Sequence, residues 1–276
     1  MTPMPAQARP WRPSLLIRLS FLLHALLPIV LLVWTPAWPW ILASLCANHL
    51  LLAAVGMWPR STWLGPNWTR LPAAASARGA IALTIDDGPD PDVTPQVLDL
   101  LDRYGIKASF FCIGAAAGRY PELCRAIVQR GHEIENHTQC HRHFFAFLGP
   151  AGLRREIAAA QRTVCAITGR RPLFFRAPAG IRNPFLEPVL ARLGLRLAAW
   201  TRRAYDTRIG DPALVARRLL TDLKAGTILL LHDGNCARGG DGVPVILAVL
   251  PLVFEAAAAA GLHFVTLSQA LEQDVV

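Results

Sequence analysis

Two carboxylates stand side by side, Asp86 and Asp87, in the run TIDDGPDP (84–91), and two imidazoles stand four residues apart, His137 and His141, in HTQCH (137–141). Adjacent carboxylates are costly to keep ionised together unless a cation neutralises one of them. Histidines at i and i+4 share one face of a helical turn, a spacing that lets both reach one ion. Asp87, His137 and His141 would therefore form a three-ligand set with an open position, the layout of a catalytic metal and not of a closed structural one. Zinc is the leading cofactor candidate, and cobalt, nickel, manganese or iron also suit two nitrogens, one oxygen and water. Cys140 lies inside the histidine spacing, but a helical turn aims it about 100° away from either imidazole, so it reads as a packing residue. His132 and His143 read as structural or solvent-facing.

These residues need elements to bring them together, and from residue 79 onward the chain alternates regularly. Strand-length apolar runs fall at 80–85, 108–113, 132–135, 173–176, 195–200, 227–231 and 263–267. Helical patterns fill the gaps at 95–104, 121–130, 151–167, 184–193, 212–224 and 243–260. Most open near a proline and all stop at or near a glycine, the expected asymmetry of helix ends. The class is α/β with a mostly parallel sheet. Asp86, Asp87, His137, Arg176, Trp200 and His232 fall at the carboxyl ends of successive strands, and they converge on one mouth only if the sheet curls. A (β/α) barrel of about seven strands with irregular closure follows.

The first 78 residues differ in kind. They hold six of the 28 basic side chains and no Asp or Glu, and the remaining 22 basic residues face 19 acidic ones. The net charge of +9 therefore sits largely around apolar segments and not on a basic globular face, which argues for a bilayer and against nucleic acid as partner. The runs 15–34 and 38–58 are apolar apart from a few polar residues, and each is long enough to span a hydrocarbon core of about 30 Å. A transmembrane helical hairpin is expected over 1–58, a linker over 59–78 and the catalytic domain over 79–276. Arginines at both outer ends place the termini and the catalytic part on the cytoplasmic side of a bacterial-type inner membrane. A cleaved signal peptide lacks an A-x-A-like site and would leave the second run unexplained. A lipoprotein signal at Cys46 is opposed by the bulky Leu45 before it. A single span with an interfacial segment remains an alternative, because prolines and Asn48 with His49 interrupt the pattern. Five cysteines after the linker show no paired spacing, and Cys112, Cys124 and Cys165 read as small buried residues.

Five motifs in order, TIDDGPDP (84–91), HTQCH (137–141), RAPAG (176–180), WTRRAYDT (200–207) and LLLHDG (229–234), resemble those of the polysaccharide deacetylase family, the NodB-homology domain of carbohydrate esterase family 4, over roughly residues 78–270. The resemblance implies a distorted (β/α) barrel and metal-dependent hydrolysis of an N-acyl group, usually acetyl, from an amino sugar of a polysaccharide or lipid-linked glycan. It assigns Asp86 as general base, Asp87, His137 and His141 as metal ligands, Arg176 as the holder of Asp86, and His232 as the acid that protonates the leaving amine. The backbone N–H near Ala179, beside Pro178, would hold the oxyanion, and Trp200 with Leu230 or Leu231 would line the slot for the acyl methyl. The fourth motif departs from the family pattern. Arg202 and Arg203 stand where acidic residues are usual, which leaves Asp206 to orient His232. Ala179 stands where an aromatic residue is frequent, and with Arg202, Arg203 and Arg208 at the rim an anionic substrate becomes a hypothesis. A deformylase and a catalytically silent sugar-binding protein are the alternatives. The second is disfavoured because Asp86, Asp87, His137, His141, Arg176 and His232 are all present.

Overall fold

A computed structural model describes residues 8–275, with side chains described to residue 273. Two apolar helices come first, α1 (Leu15–Val33) and α2 (Trp38–Gly56), joined by a short turn at Thr35–Ala37. They run antiparallel. Near one end Ile17 packs with Val55 and Leu64, and further along Asn48 donates to the Ser20 hydroxyl (3.0 Å) while the rings of His24 and His49 meet edge-on. The polar residues that interrupt the apolar pattern therefore partner one another across the helix pair, the way polar side chains become tolerable in an apolar medium.

The segment 59–78, read from its composition as a linker, lies against the rest of the protein and includes the short α3 (Ala73–Ala77). Trp68 pairs through its backbone with the stretch 197–199 and meets the Phe174 ring edge-on, and Leu71 and Ala75 are buried.

The remainder is a curled parallel sheet wrapped by helices. Its strands are β1 (Ala80–Asp86), β2 (Ser109–Cys112), β3 (Glu133–Asn136), β4 (Phe174–Phe175), β5 (Arg196–Leu197), β6 (Arg202–Arg203), β7 (Ile228–His232) and β8 (His263–Phe264). The hydrogen-bonded order is β5-β4-β3-β2-β1-β7-β6, all parallel, and β8 joins the start of β1. Around it lie α4 (Thr94–Arg103), α5 (Gly114–Arg119), α6 (Pro121–Gln129), α7 (Pro150–Thr168), α8 (Leu186–Arg192), α9 (Pro212–Leu220), α10 (Val245–Ala259) and α11 (Leu267–Val275). Glycines at positive φ end the helical segments as expected, among them Gly105, Gly131, Gly169 and Gly261.

The barrel expected from the alternation is present, and one strand differs instructively. The run expected at 195–200 is split into β5 and β6, because the chain leaves β4 after Ala198 and takes up β7 at Thr201. A single stretch thus closes the sheet by switching partners midway. Residues between its halves cannot keep strand pairing on both sides. The Arg176 guanidinium meets the loose carbonyls there, with Nε donating to Ala198 O (3.1 Å) and Nη2 to Ala199 O (2.7 Å).

Side chains alternate strictly across the sheet. On β1, Leu83 and Ile85 pack outward against the helices with Phe110, Cys112, Leu229 and Leu231, whereas Ala80 and Ala82 face inward with Phe111, Phe174 and Ile228. Thr84 and Asp86 continue the inward row, and Asp86 lies in register with His232 of β7. Thr84 is buried and donates to Leu229 O (2.7 Å).

Candidate active site

A cavity of about 270 Å³ opens at the carboxyl ends of the strands, lined among others by Asp86, Asp87, His137, His141, Ala179, Trp200, Leu230 and His232. Asp87, His141, Ala179 and Asn235 on its wall are non-glycine residues at positive φ, and Thr138 beside them, a β-branched residue, has φ 66°. Backbone conformations of this kind cost free energy and persist where the surroundings impose them, which marks the mouth as a functional place.

The cluster of Asp87, His137 and His141 assembles, with one candidate ligand atom from each lying within 4.8 Å of the others. Its local geometry corrects the expectation of a helical turn. Residues 137–141 form a loop, bent at Thr138 and His141 (φ 47°) and fastened by Thr138 N–H to Asn136 Oδ1 (3.0 Å) and His141 N–H to Thr138 Oγ1 (2.9 Å). On that loop Cys140 is exposed and not a packing residue, because the helical spacing that would have turned it inward is absent. Cys112 and Cys124 are buried as expected, whereas Cys165 is half-buried. His132 is buried, and its Nδ1 accepts from Ala108 N–H (3.2 Å); burial lowers its pKa to about 4, so it is a neutral structural residue. His143 is exposed at the cavity rim.

The donor set fits a divalent cation. His137 Nδ1 lies 2.9 Å from Arg176 O, and because a carbonyl oxygen only accepts, Nδ1 carries the proton and Nε2 presents a lone pair. That Nε2 sits 3.2 Å from Asp87 Oδ1, which is also 3.3 Å from His141 Nε2 and is buried without a hydrogen-bond partner. A carboxylate oxygen facing two imidazole nitrogens, one of them a bare lone pair, is repulsive unless a positive charge lies between them. Burial opposes ionisation of Asp87, but the neighbouring imidazoles, His137 foremost and then His232 and His141, hold its carboxyl below the usual range. For His137, burial disfavours the charged form while Asp86 and Asp87 pull the pKa up. The negative field that raises it would equally hold a metal ion. His141 is lowered by burial and by His137.

Two partnered groups flank the cluster. Asp86 accepts from Arg176 Nη1 (2.5 Å), which also donates to Thr84 Oγ1 (2.9 Å) and belongs to a side chain only 1% exposed, lying 4.0 Å from the centre of the Phe111 ring. His232 donates its backbone N–H to Asp206 Oδ2 (2.7 Å) and has its ring Nδ1 3.0 Å from Asp206 Oδ1. Burial alone would lower the His232 pKa, but Asp206, with Asp86 and Asp87 further off, raises it above the ordinary value. Asp206 is itself fully buried, so its position beside His232 is built into the fold.

The slot residues divide as the alternation demands. Leu230 faces the cavity with Ala199 and Trp200, whereas Leu231 points outward into the helix-packed core and does not line the site. Pro178 is buried at the start of the turn that presents Ala179 and does not line the cavity either. Arg203 and Arg208 line the rim, but Arg202, the neighbour of Arg203 on β6, turns to Asp222 (2.6 Å) in an adjoining groove.

Sequence reasoning passed over three contributors. Thr138 clamps the histidine loop, Asn235 adds an amide to the wall, and Asp233 lies buried behind Asp87 with its pKa raised by burial to about 7 and Thr94 Oγ1 donating to it (2.5 Å). The polar run DGN after His232 was the available signal for the last two.

A curled parallel barrel with a His₂Asp cluster between a paired carboxylate and a paired imidazole is the frame of a hydrolase that attacks a carbonyl group. The sequence profile described as polysaccharide deacetylase matches residues 73–198. A peptidoglycan-N-acetylglucosamine deacetylase of Bacillus cereus is 32% identical over 212 residues, covering 76% of this chain and 92% of that one. A chitooligosaccharide deacetylase of Sinorhizobium fredii is 36% identical over 168 residues, covering 59% and 76%. Among solved structures, a peptidoglycan N-acetylglucosamine deacetylase bound to a naphthalenyl hydroxamate superposes with a TM-score of 0.67 at 24% identity, covering 74% and 92%, which shows a shared fold. The chain belongs to the polysaccharide deacetylase family, carbohydrate esterase family 4.

Proposed function

We propose that this protein is a membrane-anchored, metal-dependent hydrolase that removes an N-acyl group, acetyl in the first instance, from an amino sugar of a polysaccharide or lipid-linked glycan. The observation that carries the reading is that the Asp87, His137, His141 cluster shares one cavity with Asp86 paired to Arg176 and His232 paired to Asp206. Two titratable groups with separate partners are what acid and base roles require.

A divalent cation held by Asp87, His137 and His141, zinc the first candidate, would polarise the amide carbonyl and lower the pKa of a water to about 7. Asp86 takes the proton of the attacking water, and Arg176 holds that carboxylate in place. As the water oxygen bonds to the carbonyl carbon, charge gathers on the carbonyl oxygen, and the Ala179 N–H donates to it. His232 gives a proton to the sugar nitrogen as the carbon–nitrogen bond breaks, which releases a free amine and a carboxylate. Asp206 fixes the imidazole so that Nε2 faces the leaving nitrogen. Leu230 and Trp200 supply the apolar wall for an acyl methyl, and a formyl group would enter the same space.

The anchor is the antiparallel helix pair, whose segments Leu15–Val33 and Thr35–Gly56 are long and apolar enough to cross a bilayer. Arg9 and Arg12 before it and Arg60 and Arg70 after it support the reading that both outer ends, with the barrel, lie on the cytoplasmic face. The test is release of acetate and formate by the membrane-bound protein from N-acylated sugars, before and after chelation, with Asp86→Asn as control. Chelator-sensitive release that falls by about 10²-fold or more in the variant supports the mechanism. No release of either acid by folded, metal-loaded protein sinks it in favour of silent sugar binding.

A further inference from the structure

Beside the cavity, and sharing Trp200 and Arg203 with it, lies a groove of about 460 Å³ whose walls carry Arg60, Arg202, Arg203 and Arg218. Four guanidinium groups on one groove repel one another unless something negative offsets them. The protein supplies little. Arg202 pairs with Asp222, a carboxylate 74% exposed, and among the described residues Arg60, Arg203 and Arg218 have no carboxylate within 4 Å. Arg203 Nε is buried with no hydrogen-bond partner, and its guanidinium is held over the rings of Trp200 (5.3 Å) and Tyr205 (5.2 Å), with Arg218, also lining the groove, 5.8 Å from the Tyr205 ring. Aromatic stacking orients these planar cations without neutralising them, which leaves their donors free for an oxyanion.

The other wall is the end of the helix pair. Trp58, Pro59 and Arg60 follow α2 directly and line the groove. Arg182 N–H donates to Gly56 O (3.0 Å), and a side chain added at Gly180 on the cavity wall would come within 2.6 Å of both Pro59 and Trp200. The apolar helices therefore end at the lip of the cavity. On the same side Asn183, next to Arg182, donates to Ala146 O and Leu148 O (both 2.9 Å) and so holds out a loop whose Phe147 is 89% exposed, with Phe144 and Phe185 also exposed. Exposed aromatics around the end of an apolar helix pair suit the headgroup layer.

We infer that the arginine groove binds the phosphate of an N-acylated amino sugar linked through that phosphate to a long apolar chain, so that the sugar reaches the cavity while the tail stays in the bilayer alongside the helix pair. This rests on the deacylase reading of the cavity and names its substrate class. It also gives a purpose to the arginines that stand where the family usually has acidic residues.

The experiment uses the full chain in detergent with metal supplied and compares three substrates: N-acetylglucosaminyl phosphate joined to a prenyl chain, the same sugar phosphate without the chain, and neutral chitotetraose. The prenyl phosphate sugar should have the highest kcat/KM, and the Arg60→Ala, Arg218→Ala double variant should lower that value about tenfold more than the value for chitotetraose. Added salt should raise KM for the phosphate-bearing substrates selectively. Equal use of all three, or an equal loss on all three in the variant, overturns the inference. Turnover of the lipid-free sugar phosphate as fast as the prenyl form overturns its membrane part. Binding of farnesyl phosphate is measured separately at equilibrium. Binding that the double variant abolishes, in a protein that hydrolyses none of the three, would uphold the groove and refute the deacylase reading instead.

Discussion

Arg176 gives the sharpest test, because one guanidinium holds both the proposed base and the closing strand of the barrel. It donates to Thr84 Oγ1, Asp86 Oδ1, Ala198 O and Ala199 O, and its side chain and that of Asp86 are almost fully buried. In Arg176→Ala the Asp86 charge loses its cation in a place water reaches poorly, and breaking a buried pair from one side costs about 3–5 kcal/mol. The carbonyls of Ala198 and Ala199, at the point where the closing strand changes partners, lose their donors as well. Asp86→Asn also leaves a buried charge without its partner, but the delocalised guanidinium keeps Thr84, Ala198 and Ala199 as acceptors and the Phe111 face beside it, so the loss should be smaller, about 1.5–3 kcal/mol. The gap between the central values, roughly 2 kcal/mol, corresponds to roughly 4–8 °C in the melting midpoint of a domain of this size. Both variants should lose nearly all turnover, but only Arg176→Ala should melt early, and Arg176→Lys, which keeps the charge and loses the fork, should fall between them. The measurement is thermal unfolding by circular dichroism with metal present, alongside acyl release. Equal melting midpoints for Arg176→Ala and Asp86→Asn would refute the argument that this side chain seals the barrel, and substantial activity in Arg176→Ala would refute its hold on the base.

The other predictions concern the neighbours. Asp206 raises the His232 pKa, so the protonated acid persists to higher pH than a free imidazolium would, and activity should fall as pH rises through that raised value. Asp206→Asn removes the largest raising influence, and the alkaline limb of the kcat profile should move to lower pH; a profile that keeps its limb would show that His232 is not the acid. Asp87→Asn should weaken metal retention, measured as metal per chain after dialysis, by more than the about 10–100-fold typical of changes one shell further out, and wild-type metal content in that variant would remove Asp87 from the ligand set. Gly180→Ala puts a methyl group within 2.6 Å of Pro59 and Trp200 at a residue with φ 74°, so it should cost about 1–3 kcal/mol and lower kcat by displacing Trp200; an unchanged melting midpoint and kcat would mean that the end of the helix pair does not pack on the cavity lip.

The gathering of the candidate site was legible because its residues are strand-end residues in short contiguous motifs, and a barrel needs only element order to bring strand ends together. Asp86 and His232 are 146 positions apart yet lie opposite one another on paired strands, an outcome that parallel alternation dictates without any detail of packing. What escaped the sequence lies wherever local periodicity gives way to a tertiary constraint. The i, i+4 histidines suggested a helix, but Thr138 and His141 adopt left-handed conformations that only the surrounding barrel imposes, and both imidazoles still reach Asp87. Leu230 and Leu231 were inseparable in composition, and the choice between them depends on the inward register set by Asp86 and His232, from which a period of two assigns Leu230 to the cavity. The closing strand was read as continuous because nothing in the residues 195–203 signals a change of partner; the signal is Arg176, far away in sequence, whose fork supplies the donors that the break requires. The same reasoning bears on the arginines of β6. Departures from a family pattern are uninformative one residue at a time, but Arg202 and Arg203 stand beside Arg60 from the end of the helix pair and Arg218 from α9, and four cations from three elements share one groove. Mutual repulsion makes such an arrangement costly in the free protein, so it is best explained by what binds there.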